Sequence, residues 1–170
     1  DLSDEPLVQS FCRESDLGRY TEQEILDFCK NLRDIVNGKS ENLLNTSVGI
    51  YTMETSKLFV SPNRELDQNY AWVNGHVGVV YQEGEKTVTH RAGENEATLA
   101  EVLEKLPNVV DKLLSEAHML TTAKPMIPGE YDIVTDTEMT GLIAHEAFGH
   151  GVEMDMFVKD RALAKEYVGK

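Results

Sequence analysis

The sequence predicts an α+β chain: an antiparallel β-meander with packed helices, followed by a strand and a motif-bearing helix. Three observations carry this reading. Apolar residues recur at helical spacing behind Thr21 and again behind Thr98. The stretch from Thr46 to Arg91 alternates with period two. After Pro128 a short apolar run leads into a third helix start. With 170 residues, 41% apolar and 27% charged, the chain is long enough to bury a core without staples.

The first helix begins at Thr21-Glu22-Gln23-Glu24, a capping box in which the Thr hydroxyl and the Glu carboxylate satisfy the free N–H groups of the first turn. Ile25, Phe28, Cys29, Leu32, Ile35 and Val36 form its apolar stripe, and Gly38 stops it. Cys29 therefore reads as core filler. In the sheet, Val48, Ile50 and Thr52 alternate with Gly49, Tyr51 and Met53. Glu54–Lys57 reads as a turn into Leu58–Val60, and Asn74-Gly75 as a hairpin between Tyr70–Val73 and His76–Tyr81. Gln82–Lys86 leads into a last strand, Thr87–His90. His76 and His90 are single histidines on strands and read as structural. A second capping box, Thr98-x-x-Glu101, opens a helix whose face holds Leu99, Val102, Leu106, Val110, Leu113 and Ala117. Pro107 must kink or break it. His118 lies at its end, as a terminal cation or a surface residue.

Lys124–Gly129 holds two prolines and reads as a connector. It divides a helix-and-sheet region, residues 1–125, from residues 126–170, the start of a catalytic part. The polar start at Asp1 without a Met, and a chemically rich segment close to Lys170, predict a piece of a longer protein. The balance of 30 acidic against 16 basic residues, net −14, opposes nucleic acid and anionic membrane as partners, because phosphates require a basic face. No apolar run approaches the ~20 residues that span a bilayer. Cys12 and Cys29 are too few for a disulfide framework and read as reduced, cytosolic thiols.

The chemistry lies between Tyr131 and Asp155. Tyr131–Val134 is the expected strand, and Thr135-x-x-Glu138 a third capping box. The helix behind it carries His145, Glu146 and His150. Two imidazoles with a neighbouring carboxylate are the elements of a zinc hydrolase, in which the histidines hold the ion and the carboxylate takes a proton from water. In H-E-x-x-H the histidines stand four apart, about 40° around an ideal helix. Five apart, as here, they stand about 140° around, too far to share one ion on a straight helix. Two remedies fit: a π-type bulge with one extra residue, eased by Gly149, or a helix end near Gly149 that lets His150 approach from a loop.

The run Gly141-Leu142-Ile143-Ala144-His145-Glu146-Ala147-Phe148-Gly149-His150-Gly151-Val152-Glu153-Met154-Asp155 closely resembles the signature of the TldD/PmbA metalloprotease family, formerly described as modulators of DNA gyrase. Lys57-Leu58-Phe59-Val60-Ser61 and the strands after it resemble the family's N-terminal domain. The resemblance implies a cytoplasmic zinc peptidase for unfolded or small peptides. Members mature peptide antibiotics and degrade antitoxins, and they work as dimers. A TldD-type subunit pairs with itself or with a TldE/PmbA-type partner that generally lacks the intact motif. This chain keeps His145, Glu146 and His150 and so resembles the TldD type. By motif match, His145 and His150 are zinc ligands and Glu146 the general base. Glu153 and Asp155 match motif positions suited to orienting the histidines. The family's third ligand is a cysteine in a C-terminal domain, whereas both cysteines here precede the motif. The chain alone is therefore expected to be inactive. The alternative is a non-catalytic peptide-binding or scaffold domain that uses exposed sheet edges.

Overall fold

The computed structural model describes residues 5–167 and Gly169. The chain divides into two compact units, Asp1–Lys124 and Pro125–Lys170. The first is α+β. Its elements are β1 (Leu7–Cys12), α1 (Glu22–Asn37), β2 (Leu43–Val60), β3 (Arg64–Glu83), β4 (Lys86–Glu96), α2 (Leu99–Lys105) and α3 (Val110–Thr122).

Strands β2, β3 and β4 pair antiparallel in chain order. Strand β1 lies parallel to the first residues of β3, from Leu7 opposite Arg64 to Cys12 opposite Asn69. β1 and β4 thus share one edge of β3, and β2 takes the other. The sheet is mixed rather than a pure meander, because β1 reaches β3 from across α1 and β2 in sequence.

Helices cover one sheet face. Val73, Val77, Val79 and Tyr81 alternate inward along β3 and meet Leu32 and Val36 of α1, Leu99 and Val102 of α2, and Leu113 and Ala117 of α3. Period two in the strand and 3.6 in the helices place these residues on matching faces. Both capping boxes form, at Thr21 with Glu24 and at Thr98 with Glu101. Ile35 is exposed, and Cys29 is half-buried, where burial pushes its thiol up from the ordinary value. Pro107 ends α2: the chain passes through a 3-10 turn, Leu106–Val109, before α3 starts.

Two expected turns are absent. Glu54–Lys57 and Asn74-Gly75 lie inside β2 and β3, strands of 18 and 20 residues. Gly75 keeps a negative φ and serves close packing instead: a Cβ there would stand 2.4 Å from Val102 Cγ1 and 3.0 Å from Leu106 Cδ2. The real hairpin joins β3 to β4 at Gly84, whose φ is +59°.

His76 packs over Gly49 on the opposite sheet face, where a Cβ on Gly49 would meet its ring at 2.6 Å. His90 pairs with Glu116 at 2.9 Å, and His118 with Glu83 at 2.6 Å, so both histidines tie α3 to the β3–β4 hairpin. Asp16 was not singled out by sequence reasoning. It is 8% exposed, and its carboxylate accepts from the N–H groups of Leu99 at 2.7 Å and Ala100 at 2.9 Å. It therefore caps α2 from 83 residues away.

The second unit contains α4 (Thr137–Ile143), a π-helical turn (Ala144–Gly149), a 3-10 turn (His150–Val152), α5 (Met154–Val158) and a last 3-10 turn (Leu163–Tyr167). Tyr131–Val134 forms no strand; it has no ladder partner among the described residues, and Val134 is 99% exposed. The cap of α4 is Asp136, one residue past the expected Thr135, and its side chain accepts from Met139 N–H. The Asp136 carboxylate takes this donor, while Thr135 Oγ1 pairs with Thr140 Oγ1. Among the described residues no helix is long and apolar enough to cross a membrane.

Candidate metal centre

Of the two remedies for the five-residue spacing, the chain adopts the bulge. α4 hands over at Ala144 to the π-helical turn, and His150 N–H donates to the carbonyl of His145, five residues back. The extra residue returns His150 to the side of His145. Their rings meet edge to face, centroids 4.6 Å apart and planes 77° apart. Gly149 does not use its freedom here: its φ is −55° and ψ −56°, and a Cβ would sit an ordinary 3.6 Å from the Ala144 carbonyl.

Ligand atoms of His145, Glu146 and His150 all lie within 4.8 Å of one another, and the three side chains are exposed. Among the described residues this is the one group of three or more His, Cys, Asp or Glu side chains placed to hold a metal ion. The donor set suits such an ion: two imidazoles bind zinc at about 2.0–2.1 Å, and exposed side chains can close by rotation. Three positions from one turn leave room for a further ligand.

His150 has its two nitrogens differently engaged. Nδ1 lies 3.0 Å from Glu153 Oε1, and Nε2 lies 3.7 Å from Glu146 Oε2. The hydrogen bond to Glu153 raises His150 above the ordinary imidazole value; the charges of Glu153, Glu146 and Asp155 add to this, and desolvation opposes it. Asp155 makes no hydrogen bond to either histidine among those described; its Oδ2 pairs with Lys159 at 3.0 Å. The resemblance gives Glu153 and Asp155 the same expected role, whereas here Glu153 faces His150 and Asp155 faces Lys159.

Sequence reasoning also missed an open pocket of about 910 Å³ walled by His150 with Phe148, Val152, Met154 and Phe157. The apolar residues interleaved with the motif were its visible signal.

Three curated proteins named as metalloproteases are similar to this chain. One from Methanothermobacter thermautotrophicus is 38% identical over 55 residues, which is 32% of this chain and 12% of the relative. One from Synechocystis sp. is 28% identical over 140 residues, covering 78% of this chain and 29% of the relative. One from Methanocaldococcus jannaschii is 30% identical over 63 residues, 37% of this chain and 14% of the relative. The matched part thus spans less than a third of each relative. No family model matches the chain. The similarity, at low identity, supports kinship with metalloproteases.

Proposed function

We propose that this chain is the part of a zinc-dependent peptidase of the TldD/PmbA type that supplies two metal ligands and the general base. His145 and His150 would hold the ion, with a third protein ligand from outside this chain. The observation that supports the reading is the π turn that gathers His145, Glu146 and His150 within 4.8 Å. The relatives' names point to the same chemistry.

When bound, the ion would polarise the scissile carbonyl and acidify water. The chain's own residues do the rest. Glu153 engages Nδ1 of His150 and thereby leaves Nε2 on the side of Glu146. Glu146 takes the proton of the attacking water as its oxygen adds to the peptide carbonyl. It returns that proton to the leaving amine as the C–N bond breaks, so one water is consumed and two new termini form. The exposure of the three side chains lets an extended peptide approach. The complete protein would act in the cytoplasm on unfolded or small peptides, as a dimer with itself or with a TldE/PmbA-type subunit. The chain alone would be inactive.

A second reading, a non-catalytic peptide-binding domain, draws on one observation: β2 ends the sheet and pairs only with β3 among the described residues, so its outer edge is open to an added strand. Metal content and cleavage of fluorogenic peptides by the complete protein, beside Glu146→Gln, separate the two. The enzyme reading expects retained metal and melting temperature with turnover down by about 10²–10⁴-fold, the usual worth of a general base. Undiminished turnover rejects Glu146 as the base.

A further inference from the structure

Glu146 follows His145 directly and stands four residues before His150, and the three offer ligand atoms within 4.8 Å of one another. Two atoms bound at about 2.0–2.1 Å to one tetrahedral ion stand about 3.3 Å apart. Glu146 Oε2 lies 3.7 Å from His150 Nε2, so a small movement brings this pair to that spacing. The Glu146 side chain is 61% exposed, and rotation about its own bonds supplies the movement. The orientation of His150 agrees with the distance. Its Nδ1 is engaged by Glu153 at 3.0 Å, and the nitrogen left to ligate is the one that faces Glu146.

Neighbouring donors are committed elsewhere. Glu153 engages His150, Asp155 pairs with Lys159, and Asp136 caps α4. Cys12 and Cys29 belong to the first unit. Among the described residues, Glu146 makes no ion pair besides the one with His150. Two imidazoles and one carboxylate are a ligand set that catalytic zinc accepts.

We propose that in this chain alone Glu146 is the third metal ligand, and that it becomes the base only when the ligand from outside the chain takes its place on the ion. The inference rests on the peptidase reading of the same site and adds its regulation. A carboxylate that gives its lone pair to a metal is a poor base towards water. The incomplete site therefore holds metal and stays inert, and release of Glu146 couples hydrolysis to assembly. One donor replaces another in this exchange. No electron is transferred, and the freed carboxylate keeps its charge.

The test titrates Zn²⁺ into the 170-residue chain and into the complete protein, in competition with a chromophoric chelator. Circular dichroism and melting temperature check that each variant is folded. The chain should bind one equivalent, and Glu146→Gln should weaken its affinity at least tenfold, since even the partner of a ligating histidine is worth about that much. In the complete protein the same substitution should change affinity less than threefold while turnover is lost. Glu138→Gln, at an exposed acid in the first turn of α4, should leave the chain's affinity within twofold. A second readout needs no variant: the Co²⁺-loaded chain and the Co²⁺-loaded complete protein should differ in visible absorption, because one donor has been exchanged. A Glu146→Gln chain that holds zinc as tightly as the unaltered chain overturns the proposal, and loss of turnover in the complete protein would still uphold the peptidase reading. A chain that binds no zinc overturns it as well, and so do identical Co²⁺ spectra. Equal weakening in the chain and in the complete protein makes Glu146 a permanent ligand, which rejects both the exchange and the role of Glu146 as base.

Discussion

The backbone N–H of His150 donates to the carbonyl oxygen of His145, and this i→i+5 bond puts the two imidazoles edge to face with centroids 4.6 Å apart. An ideal helix would leave the two positions about 140° apart. One bulged turn thus brings together two histidines that a straight helix would hold apart.

Ala147→Pro removes a backbone donor inside the π turn, at a cost of about 3 kcal/mol or more for a helix interior. In the complete protein it should abolish protection of the amides of residues 137–150 in hydrogen exchange and release the metal. Retained protection with full metal content would show that the turn does not depend on this N–H.

Glu153→Gln keeps a side chain of the same length but loses the charge that faces His150 Nδ1 at 3.0 Å. Removing such a partner of a ligating histidine weakens metal affinity by about 10–100-fold. Competition with a chelator measures this. Asp155→Asn, at a residue paired with Lys159, should leave the affinity within about twofold, so that the contrast tests the geometry.

Asp16→Ala strips the N-terminus of α2 of its two carboxylate contacts. Loss of a cap and of hydrogen bonds to a charged group should cost about 2 kcal/mol of stability in the first unit. Urea unfolding followed by the fluorescence of Trp72 gives the number. A midpoint unchanged from wild type would mean that Thr98 and Glu101 suffice as caps.

Glu83 accepts from Thr121 at 3.0 Å and pairs with His118 at 2.6 Å, and these two hydrogen bonds hold its carboxyl below the usual carboxylate value. Its contribution to stability is then fully present above the ordinary value near 4.5 and is lost as pH falls through the lower, folded-state value. Glu116 behaves likewise through His90 and Lys112. Melting temperature should therefore drop on acidification below pH ~4.5. Glu83→Gln should lower it at pH 7 and flatten the acid limb. Parallel curves for wild type and variant would remove Glu83 from the account.

The helix starts at Thr21 and Thr98, the inward faces of α1 to α3, an interruption at Pro107 and the need for either a bulge or a helix end between His145 and His150 were legible in the sequence; the structure chose the break and the bulge. Each depends on residues within a few positions of one another, where hydrogen-bond reach and helical period decide the outcome. The lengths of β2 and β3 were not legible. Glu54–Lys57 and Asn74-Gly75 carry turn chemistry, yet both stay extended, because each pairs in register across β2 and β3: Glu54 to Lys57 stand opposite Ala71 to Gln68, and Tyr51 and Ile50 stand opposite Asn74 and Gly75. Gly75 is needed for the approach of Val102 and Leu106, a demand set by a helix more than twenty residues later. Tyr131–Val134 shows the converse: strand composition with no ladder partner among the described residues leaves the backbone irregular. Asp16 over α2, β1 parallel to β3, and the pocket behind His150 arise from contacts distant in sequence or from the turn that follows the motif. A local pattern supplies the chemical groups, and long-range packing decides which of them meet, because pairing and burial stabilise an arrangement only when both partners are in place.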